Sequence, residues 1–257
     1  MVEFMAKIAV FDSGFGSLSV IKAIQKKVTA DIIYFADQKN FPYGTKSVPQ
    51  LRKIIESTIT MLEKKFKLEL IVIGSNTPSL LLKQITKKSK IIGVFPPLKE
   101  AAGNTRSCTI AILATKSVIE SNALENYIKK NVPKKIKVIK INVSSLVELV
   151  ESGKFIHNKN LCKNRIKTVL LKPLLDNHVD VATLSSTHLP FLLPMLKQVF
   201  PNITFLDPAN TVTNQVSKIL SMKKSKTNSI RIFTSGNIGI FQKQLLKLGI
   251  KNKVRSL

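Results

Sequence analysis

Short apolar runs alternate along this chain with polar turns and amphipathic stretches. Residues 68–82, LELIVIGSNTPSLLL, show the layout at its clearest. Four apolar, mostly β-branched residues end at Gly74, the polar knot Ser75-Asn76-Thr77 follows, and an apolar helix-like run comes next. The pattern predicts a buried parallel strand, a tight turn and a helix. A second copy, VDVATLSSTHLPFLL at 179–193, places Ser186-Thr187-His188 at its turn.

The same alternation extends over the whole chain. Strands are predicted at 7–11, 31–36, 91–94, 109–113, 136–142 and 203–206, with a last one at 230–234. Helices are predicted at 17–27, 48–66, 121–130, 144–151, 165–175, 211–222 and about 240–248. Gly153 suits a C-cap. The stretches 154–164 and 223–229 read as polar, lysine-bearing loops, and Phe95-Pro96-Pro97 as a stop and hinge. Strands alternating with helices imply an α/β fold with mainly parallel sheets, Rossmann- or flavodoxin-like. The repeated strand and turn implies two similar lobes in a pseudo-two-fold arrangement, with a ligand cleft between them. We expect residues 1–96 with 208–257 in the first lobe and 97–207 in the second.

Polar groups at the carboxyl ends of strands lie where open α/β sheets bind ligands. The first predicted strand ends in Asp12-Ser13-Gly14-Phe15-Gly16-Ser17. Its glycines permit a tight turn and close ligand approach, but the third glycine of a dinucleotide fingerprint is missing. Asp12 either points into the crevice or caps the following helix. The strand at 109–113 leads into a comparable turn, Ala114-Thr115-Lys116-Ser117.

Composition changes this picture little, and charge changes it more. At 257 residues, with 44% hydrophobic and 22% charged positions, the chain can bury a sizeable core as one large domain or two small ones. No uncharged apolar run reaches the roughly 18 residues of a membrane span. The N-terminal run flows straight into a strand, which argues against a signal peptide. Two cysteines, Cys108 and Cys162, without metal-ligand spacing, fit a cytoplasmic protein and no metal site. The net charge is +26, yet only five of the 41 basic residues are arginine and tryptophan is absent. Nucleic-acid recognition favours arginine forks and aromatic platforms. A lysine-rich solvated surface is therefore the first reading of this charge. A basic module for nucleic acid or an acidic partner is the second, and steering of a small anionic substrate fits both.

FDSGxGxL, PYGTKS, SNTxS, STHxP, LDP and FTSG occur in that order between about residues 7 and 248. On these motifs the chain resembles the aspartate/glutamate racemase family, and within it the glutamate racemases. The resemblance implies a cofactor-independent inversion at the Cα of glutamate, with a base on one face and an acid on the other. It also implies a small acidic amino acid as ligand and, as is common in the family, a homodimer. In the family the two acid–base groups are cysteines, one per turn. Here those positions are Ser75 and Ser186. By the same resemblance Asp12 and Ser13 lie beside the first position, His188 follows the second, and Glu151 assists there. Pro42, Tyr43, Gly44, Asn76, Thr77, Thr115 and Thr187 match substrate-holding positions. Val118 and Pro78 depart from the family's threonine and alanine.

The replacement of both thiols matters most. A thiol titrates at about 8.5 and a hydroxyl far higher, close to water, a difference of roughly 10 kcal/mol against forming the charged base. The sequence therefore predicts a protein that binds glutamate but racemises it very slowly or not at all. The alternative is an active racemase in which Asp12 and His188 serve as the opposed bases.

Overall fold

The computed structural model describes residues 6–80, 90–220 and 228–257. The chain forms two compact units, Met1–Val94 with Ala209–Leu257, and Phe95–Pro208.

The first unit is built on a six-stranded, all-parallel sheet. Its strands are β1 (Lys7–Asp12), β2 (Asp31–Ala36), β3 (Leu70–Ile73), β4 (Lys90–Gly93), β9 (Ser229–Thr234) and β10 (Val254–Ser256), in the order β10-β9-β2-β1-β3-β4. Its helices are α1 (Leu18–Lys27), α2 (Val48–Lys65), α3 (Asn76–Ser79), α11 (Ala209–Leu220) and α12 (Ile238–Lys247). Every residue of β2 and β3 is buried, as expected where helices cover both faces of a sheet. Alternate residues of the strands, Ala9, Phe11, Ile33, Phe35, Ile71 and Ile73, form one cluster with Leu51, Ile55, Ile59 and Leu62 of α2. Those four helical positions recur at the spacing of one helix face. The start of α2 is fixed by a capping box between Ser47 and Gln50. Such a cap is worth about 1 kcal/mol, and each buried Leu or Ile contributes about 1.5–3 kcal/mol, so packing holds α2 and the cap sets where it begins.

The second unit carries β5 (Thr109–Ala114), β6 (Lys137–Asn142), β7 (Val181–Leu184) and β8 (Thr204–Leu206) in the order β6-β5-β7-β8, again all parallel. Its helices are α4 (Leu98–Asn104), α5 (Lys116–Ile119), α6 (Asn122–Asn131), α7 (Ser144–Glu151), α8 (Lys154–His157), α9 (Lys159–Leu175) and α10 (Leu193–Val199). The order β2-β1-β3-β4 in the first unit is reproduced by β6-β5-β7-β8 in the second. Even local bonds repeat. Gly74 donates its amide to Phe11 O at 2.8 Å, and Ser185 donates to Leu113 O at 2.9 Å.

Several expectations need correction. The stretch 154–164 is not a loop: α8 occupies its start, and α9 begins at Lys159 rather than at 165. Asn158 caps α9 by accepting from the Leu161 amide, and Cys162, Ile166, Leu170 and Leu174 form its buried stripe. The strand at 229–234 is not the last, because β10 pairs beside it. Helix α4, directly after the two prolines, has no counterpart among the elements read from the sequence. The end of α7 is as the sequence predicts, with Gly153 in the left-handed region at φ 72°. The helix-like run beyond residue 80, the end of the helix reaching 222, and most of the loop at 223–229 lie outside the described residues.

Candidate active site

Both central strand pairs end in register, and this places the candidate residues. β1 and β3 pair as far as Phe11 with Ile73, and β5 and β7 as far as Leu113 with Leu184. Ser75 and Ser186 each stand two residues beyond the last of these pairs, as do Ser13 and Thr115 on the neighbouring strands.

In the first unit, Asp12 is buried at the tip of β1, and its Oδ1 accepts the Ser13 amide at 2.7 Å. Ser13 Oγ in turn accepts the Tyr43 amide at 3.4 Å. Tyr43 is buried, and burial, then the charges of Asp37 and Asp12, push its phenol well above its ordinary value. It therefore stays protonated and donates to Asp37 Oδ2 at 3.1 Å. Gly44 follows on the same short helical turn, while Pro42 before it is exposed.

Asp37 is the residue that sequence reasoning missed. It is 3% exposed and also receives Asn40 Nδ2 at 2.8 Å and Ser235 Oγ at 3.0 Å. One carboxylate thus ties the Tyr43 segment to the FTSG motif. The available signal was its place at the carboxyl end of β2, the same kind of place that singled out Asp12. Replacing Asp37 by Asn keeps the shape and removes the charge. We expect a stability loss of about 2 kcal/mol in urea unfolding, because the three donors then share one neutral carbonyl.

The second turn of the first unit, Ser75-Asn76-Thr77, is pinned from behind. Ser79 Oγ donates to the Ser75 carbonyl and accepts the Val94 amide at 2.8 Å. Asn76 Nδ2 donates to Val94 O at 3.0 Å, but its Oδ1 is buried with no hydrogen-bond partner among the described residues. A buried amide oxygen left unpaired costs on the order of 1–3 kcal/mol, which a ligand donor could offset. Ser75 and Thr77 are half-buried.

In the second unit the structure brings three candidates together. Glu151 is the last residue of α7, and Ser186 and His188 lie on the turn after β7. His188 Nε2 bonds to Glu151 Oε1, and Ser186 Oγ lies 3.4 Å from His188 Nδ1. Thr187 is buried beside them in sequence, and Thr115 instead meets Ser117 Oγ at 3.3 Å. Val118 is buried and apolar, filling core rather than offering a polar contact. Among the described residues, no group of three His, Cys, Asp or Glu side chains could hold a metal ion, and no helix is long and apolar enough to cross a membrane.

No family model matches the chain. A glutamate racemase from Actinobacillus pleuropneumoniae serotype 5b is 32% identical over 219 residues, covering 83% of this chain and 82% of that protein. A crystal structure of a glutamate racemase isoform from Bacillus anthracis superposes with a TM-score of 0.85 at 25% identity, over 98% of this chain and 97% of the other. The Escherichia coli glutamate racemase, solved with L-glutamate and the activator UDP-MurNAc-Ala, shares the fold with a TM-score of 0.83 at 24% identity, over 99% and 98% of the two chains. At 32% identity over most of a glutamate racemase, with a fold that superposes on solved glutamate racemases, this chain belongs to the glutamate racemase family.

Proposed function

We propose that this protein binds glutamate through polar residues kept at its strand ends, and that it does not interconvert the two enantiomers at a metabolic rate. The first half rests on the family and on the retained polar set: Asp12, Ser13, Tyr43, Gly44, Asn76 and Thr77 in one unit, Thr115 and Thr187 in the other. The L-glutamate complex of the Escherichia coli relative supports that ligand class.

The second half rests on one observation: serine occupies both Ser75 and Ser186, the positions that sequence resemblance assigns to the acid–base thiols. The Glu151–His188 pair beside Ser186 does not change this. It can accept a proton from the hydroxyl, but a neutral hydroxyl does not abstract a weakly acidic Cα proton. An alkoxide able to do so lies roughly 7 pKa units further away than a thiolate.

Isothermal titration with L- and D-glutamate, beside deuterium incorporation at Cα in heavy water, tests both halves. We expect measurable heat with glutamate and exchange at the blank level. Absence of heat and of any thermal shift with glutamate or aspartate would overturn the binding role. Exchange clearly above the blank would overturn the loss of chemistry.

A further inference from the structure

We propose that Ser186, His188 and Glu151 form a nucleophilic triad, and that Ser186 is acylated by small activated carboxylic esters. This is an activity separate from glutamate binding, and it is read without glutamate present.

The orientation of the imidazole carries the inference. A carboxylate can only accept, so Glu151 Oε1 takes the proton-bearing Nε2 of His188. In the neutral ring, Nδ1 is then the lone-pair nitrogen, and it faces Ser186 Oγ at 3.4 Å. A hydroxyl, a base and an orienting carboxylate thus stand in series, the arrangement that activates a serine nucleophile. The two ring nitrogens have exchanged their usual roles, which leaves the proton path intact. The 3.4 Å contact is long, as such contacts commonly are before substrate binds. Ser186 is 7% and His188 8% exposed, so little water competes with the bond. The Ser186 amide makes no hydrogen bond to a described residue and is one donor for a developing oxyanion.

The steps balance without any further cofactor. Ser186 Oγ bonds to the ester carbonyl carbon while its proton passes to His188 Nδ1, and Glu151 holds the imidazolium through Nε2–H. Collapse breaks the carbon–alkoxy bond, and the leaving alcohol takes the proton from Nδ1. Water, deprotonated by Nδ1, then attacks the acyl-Ser186, releasing the carboxylic acid and restoring the hydroxyl. Proton and bond move together, so no free alkoxide forms. The pKa gap that opposes Cα abstraction therefore does not oppose this attack.

The test uses the full chain with two probes, diisopropyl fluorophosphate and p-nitrophenyl acetate. We expect one phosphoryl adduct per chain, located on Ser186 by peptide mass spectrometry and absent from Ser186→Ala. Release of p-nitrophenolate should fall about 100-fold in His188→Gln. Glu151→Gln should slow release and displace its pH profile, because the imidazolium loses its carboxylate. In Ser186→Cys, iodoacetamide should alkylate the introduced thiol at neutral pH far faster than the exposed Cys108, a reading that does not depend on an inactive variant. No phosphoryl adduct on Ser186, or acetylation confined to the many lysines, would overturn the proposal.

Discussion

Restoring sulfur at both turns, Ser75→Cys together with Ser186→Cys, is expected to raise Cα exchange and inversion of glutamate by at least about a thousandfold over the parent chain. That gain is about 4 kcal/mol in the barrier, well under the roughly 10 kcal/mol separating thiolate from alkoxide as the base. At position 186 the local arrangement favours the new thiol, because His188 Nδ1 is turned toward it and can draw its proton. Each single variant should behave differently from the pair. With one thiol, solvent deuterium should enter only the enantiomer whose Cα proton faces that sulfur, with little inversion, since the opposite face still lacks a competent acid. Proton NMR in heavy water and chiral chromatography separate these outcomes. A double variant that binds glutamate yet stays at the blank would mean that more than the two sulfurs is missing.

Gly74→Ala should be strongly damaging to the first unit. A Cβ there would lie 2.4 Å from Ser17 Cβ and 3.2 Å from Phe11 O. Neither atom is the loose end of a side chain. Ser17 opens α1, and Phe11 O already accepts the Gly74 amide at 2.8 Å. The strand end can relieve the clash only by leaving β1, and Ser75 and Asn76 would leave with it. We expect a loss of about 3 kcal/mol in urea unfolding and a clear weakening of glutamate binding by calorimetry. Ser17→Gly removes the opposing atom, so the Gly74→Ala, Ser17→Gly pair should recover most of both. Gly236→Ala is no control for this. There the added Cβ would lie 2.7 Å from Gln38 Cβ, so that change is costly too, whereas Gly103→Ala in α4, with nothing within 4 Å of its added Cβ, should cost little.

The parallel strands were legible because burial on both faces leaves an apolar run that needs no partner to be seen. β2 and the body of β5 are cases of this. The helix end at Gly153 was legible because one residue settles it. Elements decided by distant contacts were not. In α4 only Leu98 and Ala101 are buried, and in β10 only Val254, too few positions to make a period. The front of α9 is lysine-rich, and its stripe is visible only once Cys162 counts as an apolar residue. At the site, the turns announced themselves through strand-end polarity. Asp37 did not, since its importance comes from Tyr43, Asn40 and Ser235 arriving around it. The order Ser186–His188–Glu151 spans two elements, and no spacing rule predicts that the ring would sit between the other two.

The placement of β9 against β2 has a consequence for how the chain is made. A ribosome delivers β2, every residue of it buried in the finished sheet, nearly two hundred residues before the strand that covers its flank. Until then the nascent chain carries an open, apolar ladder, the kind of template on which chains stick to one another. The second unit, drawn from one unbroken stretch, faces no such wait and can settle while the first is still open. Its early completion brings the two ends of the first unit's gap together, so the late C-terminal strand has less of the chain to search.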